Sequence, residues 1–212
     1  WVIGANAKDK GKFVYELPKN VVEVHEVFLD DALRLKDSGK MLHAFTEEET
    51  NSLKELMLCR RPNWEILFRL YHDQKLNPMS FLRSEEFLNI LTECCIKDYP
   101  YTPFADAFHT MRSMLLPVLY LMGSEVPKAD VYHAICTGYG GLLACLGGHV
   151  YKKKVLLTEH GIYTREREEE IIRAKWVQPA FKKQWIAFFY MLSDIIYTRA
   201  FSVSALFTNA MR

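Results

Sequence analysis

The chain of 212 residues lacks several features that mark particular protein classes. Its five cysteines are odd in number and form no Cys-x-x-Cys pair, which argues against a disulfide framework and a zinc ribbon. Lys and Arg number 27 and Asp and Glu number 26, so a net charge of +1 offers no electrostatic attraction to nucleic acid. No apolar run reaches the roughly 18–20 residues that cross a bilayer, and no signal-peptide pattern opens the chain. These absences predict a cytoplasmic protein without a nucleic-acid partner.

The spacing of apolar residues is helical from about residue 40 to 125. A capping box is expected at Thr46–Glu49, and further helices are expected to begin at Pro62 and Ser84. A longer helix over about 104–122 contains Pro117, which predicts a kink because proline removes one backbone hydrogen bond. This block holds no cluster of chemically active side chains, so we interpret it as a helical insertion.

Strands and helices alternate over the remaining chain. Four segments favour strands, at 21–29, 130–135, 154–159 and 201–206, and the helices between the last three cover 142–147, 164–175 and 179–199. Strands separated by helices are typical of parallel pairing, because each parallel connection crosses the sheet through a helix. The pattern therefore predicts the α/β class, with a parallel sheet and helical crossovers.

Glycines and histidines concentrate between residues 130 and 165. His133 lies near the end of one predicted strand, and His160 immediately follows the next. If those strands are neighbours, both imidazoles project toward one crevice at the carboxyl edge of the sheet. The run Gly138-Tyr-Gly-Gly141 opens a helix, where its backbone could approach an anion or simply pack tightly. Its spacing is neither the GxGxxG of dinucleotide sites nor a Walker loop.

Two further chemistries have less support in the residue pattern. His133, Glu159 and His160 could ligate a metal, but no HExxH or paired-cysteine spacing accompanies them. Cys136 is close to His133 in sequence, yet no nucleophile motif surrounds it, and no GxSxG elbow occurs in the chain. We therefore expect neither a metal nor a resident cofactor.

The run KVLLTEHGIYTREREEEIIRAKW, preceded by ADVYHAICTGYGGLLA and followed by WIAFFYMLSDIIY, resembles the PelF-type glycosyltransferases of exopolysaccharide synthesis. KFVYELPKNVVEVHEVFL is similar to the early part of that family. The resemblance implies a retaining GT-B enzyme with two Rossmann-like halves, a nucleotide-sugar donor expected to be UDP-glucose, and a saccharide acceptor. The chain would be the N-terminal, acceptor-side half, with one strand before Trp1 and the nucleotide-sugar half after Arg212.

The same resemblance implies roles for individual residues. His160 would face the donor sugar and hydrogen-bond a hydroxyl or steady developing charge. The pocket around it would be shaped by Glu159, Gly161, Tyr163 and Arg165, with Arg165 alternatively over a phosphate, and the acceptor side would be lined by His133, Thr137 and Gly138. We expect residues 1–212 alone to be inactive. The alternative is a non-catalytic interaction domain whose helical insertion docks an inner-membrane polysaccharide synthase complex, so that the protein lies peripherally on the membrane.

Overall fold

The computed structural model describes residues 1–14, 16–36 and 43–207. Parallel strands joined by helical crossovers confirm the predicted α/β class, with a Rossmann-like arrangement. Within the described ranges there are five strands: β1 (Val2–Gly4), β2 (Glu26–Phe28), β3 (Val131–Ala134), β4 (Lys154–Glu159) and β5 (Ser202–Ala205). The α-helices there are α1 (Glu47–Met57), α2 (Trp64–Phe68), α3 (Pro78–Leu82), α4 (Glu85–Asp98), α5 (Phe104–Met122), α6 (Gly138–Tyr151), α7 (Tyr163–Arg173) and α8 (Lys182–Arg199).

The strands form two parallel sheets. β1 pairs with β2, while the second sheet has the order β3-β4-β5, with Val131 opposite Lys154 and Leu156 opposite Ser202. The prediction of one strand over 21–29 was too long, because only Glu26–Phe28 pairs with another strand. The three residues of β1 were not predicted, since so short a segment shows no recognisable alternation.

Local side-chain chemistry sets where the helices of the insertion begin. The predicted capping box is present: Thr46 Oγ1 accepts from the Glu49 amide at 3.3 Å, and Glu49 accepts from the Thr46 amide at 3.0 Å. Ser84 caps α4 as predicted. The predicted helix start at Pro62 was wrong, because the Asn63 side chain accepts from two amides of α2 and places the cap after the proline.

The insertion and the α/β part share one hydrophobic core. α5 contributes nine buried residues and packs against α6, and Pro117 lies inside it as predicted. The helix expected over 142–147 begins earlier, at Gly138, and runs to Tyr151. Helices α6 and α8 cover one side of β3 and β4 through the buried residues Tyr132, Ala134, Val155 and Leu157. In the described part of the chain, no helix combines the length and the apolar character needed to cross a membrane.

Candidate functional site

The ends of β3 and β4 lie side by side at the carboxyl edge of the second sheet. The pairing of Ala134 with Leu157 makes these strands direct neighbours and confirms the arrangement on which the predicted crevice depends. The loop from β3 leads into α6, and the loop from β4 leads through His160 into α7. The two loops therefore leave the sheet at the same edge, where ligands of open α/β sheets bind.

His160 is the exposed imidazole at this edge. It follows the last residue of β4 and makes no hydrogen bond or ion pair with any residue of the described ranges. An added Cβ on Gly161 would lie 2.5 Å from Glu166 Oε1, so a larger residue there would require the flexible Glu166 side chain to move. The turn therefore passes beside the Glu166 side chain of α7, and the exposed His160 ring is available for a ligand.

The first turn of α6 presents backbone amides without a side-chain cap. Thr137 occupies the capping position, but its hydroxyl instead accepts a hydrogen bond of 2.9 Å from Ser193 of α8. Gly138 has a φ of +65°, and a Cβ there would lie 2.5 Å from the Tyr163 hydroxyl. Glycine is required for both reasons, and free amides at a helix start attract negative charge.

Tyr163 and Arg167 join the start of α7 to this turn. The Arg167 guanidinium lies 5.2 Å from the centre of the Tyr163 ring and 5.8 Å from that of Phe189. Burial raises the pKa of the Tyr163 hydroxyl, although the neighbouring Arg167 acts in the opposite direction. Tyr163 is therefore a neutral hydrogen-bond donor at physiological pH, and Arg167 supplies the positive charge.

Arg165 does not share this position. It is 73 % exposed, and its Nε lies 3.7 Å from Glu169 Oε1 on the same helix. The structure therefore brings Arg167, two residues later, toward the residues predicted to bind substrate. Sequence reasoning missed Arg167 because both arginines fall in one charged run. The two differ in the side of α7 from which they project, which the sequence alone does not assign.

The Glu159 side chain points into the protein toward α8 rather than toward solvent at the sheet edge. Its side chain is 3 % exposed, and its carboxylate accepts a hydrogen bond from the Tyr197 hydroxyl of α8. Burial raises the pKa of Tyr197 strongly, and the adjacent carboxylate adds to the increase. The hydrogen bond between the buried Glu159 carboxylate and Tyr197 therefore links β4 to α8.

His133 lies on the exposed face of the sheet, next to Thr158 of β4. Its Nε2 is 2.8 Å from Thr158 Oγ1, which is 2.9 Å from Ser204 Oγ on β5. These three side chains form a polar row across β3, β4 and β5. His133 is thus held by Thr158 on the exposed face, whereas Thr137 and Gly138, predicted to line the same side of a pocket, are buried at the start of α6.

Cys136 lies beside Gly140, which is in the first turn of α6. An added Cβ on Gly140 would lie 3.1 Å from Cys136 Sγ. Burial raises the pKa of this thiol, Glu159 raises it further, and Arg167 offsets part of the increase. A thiol with a raised pKa is mostly protonated at neutral pH and is then a poor nucleophile. In the described ranges, no group of three His, Cys, Asp or Glu side chains is arranged to hold a metal.

One known family matches the chain over its whole length. Residues 1–212 match DUF3492, which is described as a domain of unknown function. The chain belongs to the DUF3492 family. DUF3492 is known in glycosyltransferase-like proteins, which agrees with the glycosyltransferase class implied by the sequence resemblance. Searches of curated proteins and of solved structures gave no significant match.

Proposed function

We propose that this DUF3492 chain is the acceptor-side part of a retaining glycosyltransferase that extends an exopolysaccharide. The main support is one juxtaposition: the exposed His160 after β4 and the uncapped glycine start of α6 after β3 leave the same sheet edge. The donor we propose is a nucleotide sugar, with UDP-glucose as the first candidate. Membership of a family found in glycosyltransferase-like proteins supports the same reaction class.

The proposed chemistry needs positioning and charge stabilisation more than a strong base. A retaining transfer develops positive charge on the sugar ring while the leaving diphosphate gains negative charge. His160 would hydrogen-bond a sugar hydroxyl at the reaction centre. The amides of Gly138 and its successors, with Arg167 nearby, would favour a negatively charged group. No protein nucleophile and no metal are part of this proposal.

The remaining residues divide into those that contact substrate and those that position others. Tyr163 and Gly161 would shape the pocket around His160, and Thr137 would hold the α6 start through Ser193. Glu159 acts as a positioning residue, because its carboxylate is occupied by Tyr197. His133 would reach a saccharide only where the acceptor crosses the open face of the sheet.

The alternative of an interaction domain loses the observation that motivated it. The apolar faces over about 104–122 and 185–196 are largely buried in the common core, including Met111, Leu115, Trp185 and Leu192. Core packing therefore accounts for these residues without a membrane partner. A cytoplasmic location at the inner face of the membrane, beside a polysaccharide synthase complex, remains part of the proposal for the transferase.

The proposal is tested by assaying the protein that carries this chain against a panel of nucleotide sugars. We expect consumption of UDP-glucose that depends on a saccharide acceptor and releases UDP, with retention at the anomeric carbon. Residues 1–212 alone should show no transfer. Absence of turnover with every nucleotide sugar, from a folded protein supplied with acceptor polysaccharide, would refute the proposal.

A further inference from the structure

A groove separates the loop between α1 and α2 from helix α8. It consists of two cavities of about 360 Å³ and about 560 Å³, which share Arg60, Arg61, Met191 and Asp194 along their walls. Arg199 and Asn63 line the smaller cavity, which is the more recessed end. We call this feature the interhelical groove. It has room for a small organic ligand.

The interhelical groove is separate from the sheet-edge site. Met191, Asp194 and Thr198 follow one another at spacings of three and four residues, so they share one face of α8. Ser193 and Tyr197, which contact Thr137 and Glu159, lie on a different face of the same helix. A ligand in the groove would therefore not contact His160 or the first turn of α6.

Three guanidinium groups line the smaller cavity, against one carboxylate among the described residues. Arg60 Nη1 is 3.3 Å from Glu55, and Arg199 Nη1 is 2.6 Å from Glu65. Each guanidinium has five N–H donors, so both arginines retain donors beyond these pairs. Arg61 makes no hydrogen bond or ion pair with any residue of the described ranges. Arg61 is an exposed residue that lines both cavities, so its donors are available to a ligand.

Asn63 adds a further donor at the same place. Its Oδ1 accepts from the amides of Glu65 and Ile66, at 3.1 Å and 3.4 Å. This orientation leaves the Nδ2 amide without a role in the cap. The wall of the smaller cavity consequently carries more donors than acceptors, with Asp194 as its carboxylate, and Glu55 adds a second carboxylate in the larger cavity.

We propose that the interhelical groove binds the phosphate group of a small soluble ester. Guanidinium forks match the oxygens of phosphate in pairs, which makes arginine clusters suited to this anion. A recess between a loop and a helix admits a small molecule more readily than the surface of a bilayer, so we favour a free ester over a lipid headgroup. The ligand is independent of the sugar donor proposed for the sheet edge.

The test is calorimetric titration of the 212-residue chain with inorganic pyrophosphate at two salt concentrations. We expect Arg61→Gln to weaken binding about tenfold, the loss of one charge-assisted contact. Arg173→Gln is the matched control, because Arg173 is an exposed arginine of α7 outside the groove. It should bind as the unmodified chain does, and binding should weaken at higher salt.

Asp194→Asn separates the possible ligand classes. Removing this carboxylate should tighten pyrophosphate binding severalfold, because it repels an anion. Equal binding by Arg61→Gln and the unmodified chain, weaker binding by Asp194→Asn, or no binding at millimolar pyrophosphate would each overturn the proposal. A second arm uses phosphatidylcholine vesicles containing phosphatidylglycerol. Arg61-dependent binding to these vesicles, without binding to pyrophosphate, would also overturn it.

Discussion

The Tyr197 hydroxyl donates a hydrogen bond to the buried carboxylate of Glu159, joining α8 to the last residue of β4. The next residue is His160, where the turn into α7 begins. The orientation of this turn therefore depends on a contact between residues 38 positions apart. Because Glu159 is buried, the loss of its donor would leave a carboxylate without compensation.

Tyr197→Phe should lower the free energy of unfolding by about 1–3 kcal/mol, the usual cost of leaving a buried polar group without its partner. Urea denaturation measures the change. The matched control is Tyr190→Phe on the same helix, because the exposed Tyr190 bonds through its hydroxyl to Glu168 at 3.0 Å. That variant should stay within about 0.5 kcal/mol of the unmodified chain. Equal losses in both variants would contradict the special role of the Glu159 contact.

Gly138→Ala should destabilise the chain by about 1–3 kcal/mol, because it combines an unfavourable positive φ with a collision against Tyr163. Gly11→Ala supplies the control, since Gly11 has a φ of +71° but no atom within 4 Å of an added Cβ. Thermal unfolding of both variants separates backbone strain from the collision. If Gly11→Ala costs as much as Gly138→Ala, close packing between Tyr163 and α6 is not what requires glycine.

Glu49 should make the free energy of unfolding depend on pH in the acidic range. Burial acts to raise the pKa of its carboxyl, but the Thr46 amide and His43 outweigh burial, so the pKa in the folded chain lies below its ordinary value. The stabilisation is present above the unfolded-state pKa, about 4.5, and is lost as pH falls through the lower folded-state value.

The unmodified chain should therefore be more stable than Glu49→Gln near pH 6, by about 1 kcal/mol, and the difference should shrink toward pH 3. Urea denaturation across that pH range measures it. Glu47→Gln, at an exposed position of the same first turn, is the control and should show a smaller change. A Glu49→Gln difference that grows as the pH falls would contradict the assigned direction of the pKa shift.

Features set by neighbouring residues could be predicted from the sequence. Thr46 and Ser84 cap helices through amides three positions away, so their pattern is visible in a short window. The alternation of strands and helices likewise predicted that the segments after β3 and β4 would leave one edge of a parallel sheet. These features depend on local hydrogen bonding and on the connection rules of parallel sheets.

Features set by distant contacts could not be predicted. His149 falls within the glycine-rich stretch, yet its Nδ1 lies 2.6 Å from Glu65 of α2, so it ties α6 to the insertion. Predicting that Glu159 is buried would require knowing where α8 packs. Predicting that Arg167 rather than Arg165 lies near Tyr163 would require knowing which side of α7 faces α6 and α8. Each depends on tertiary packing that leaves no periodic trace in the sequence.

The most direct measurement of the central claim is the turnover of UDP-glucose by His160→Ala in the protein that carries this chain. His109→Ala is the control, since His109 is an exposed histidine on α5. We predict that kcat falls about a hundredfold in His160→Ala, with an unchanged unfolding midpoint and no loss in His109→Ala. Equal kcat in His160→Ala and the unmodified protein would contradict the assignment of His160 to the reaction centre.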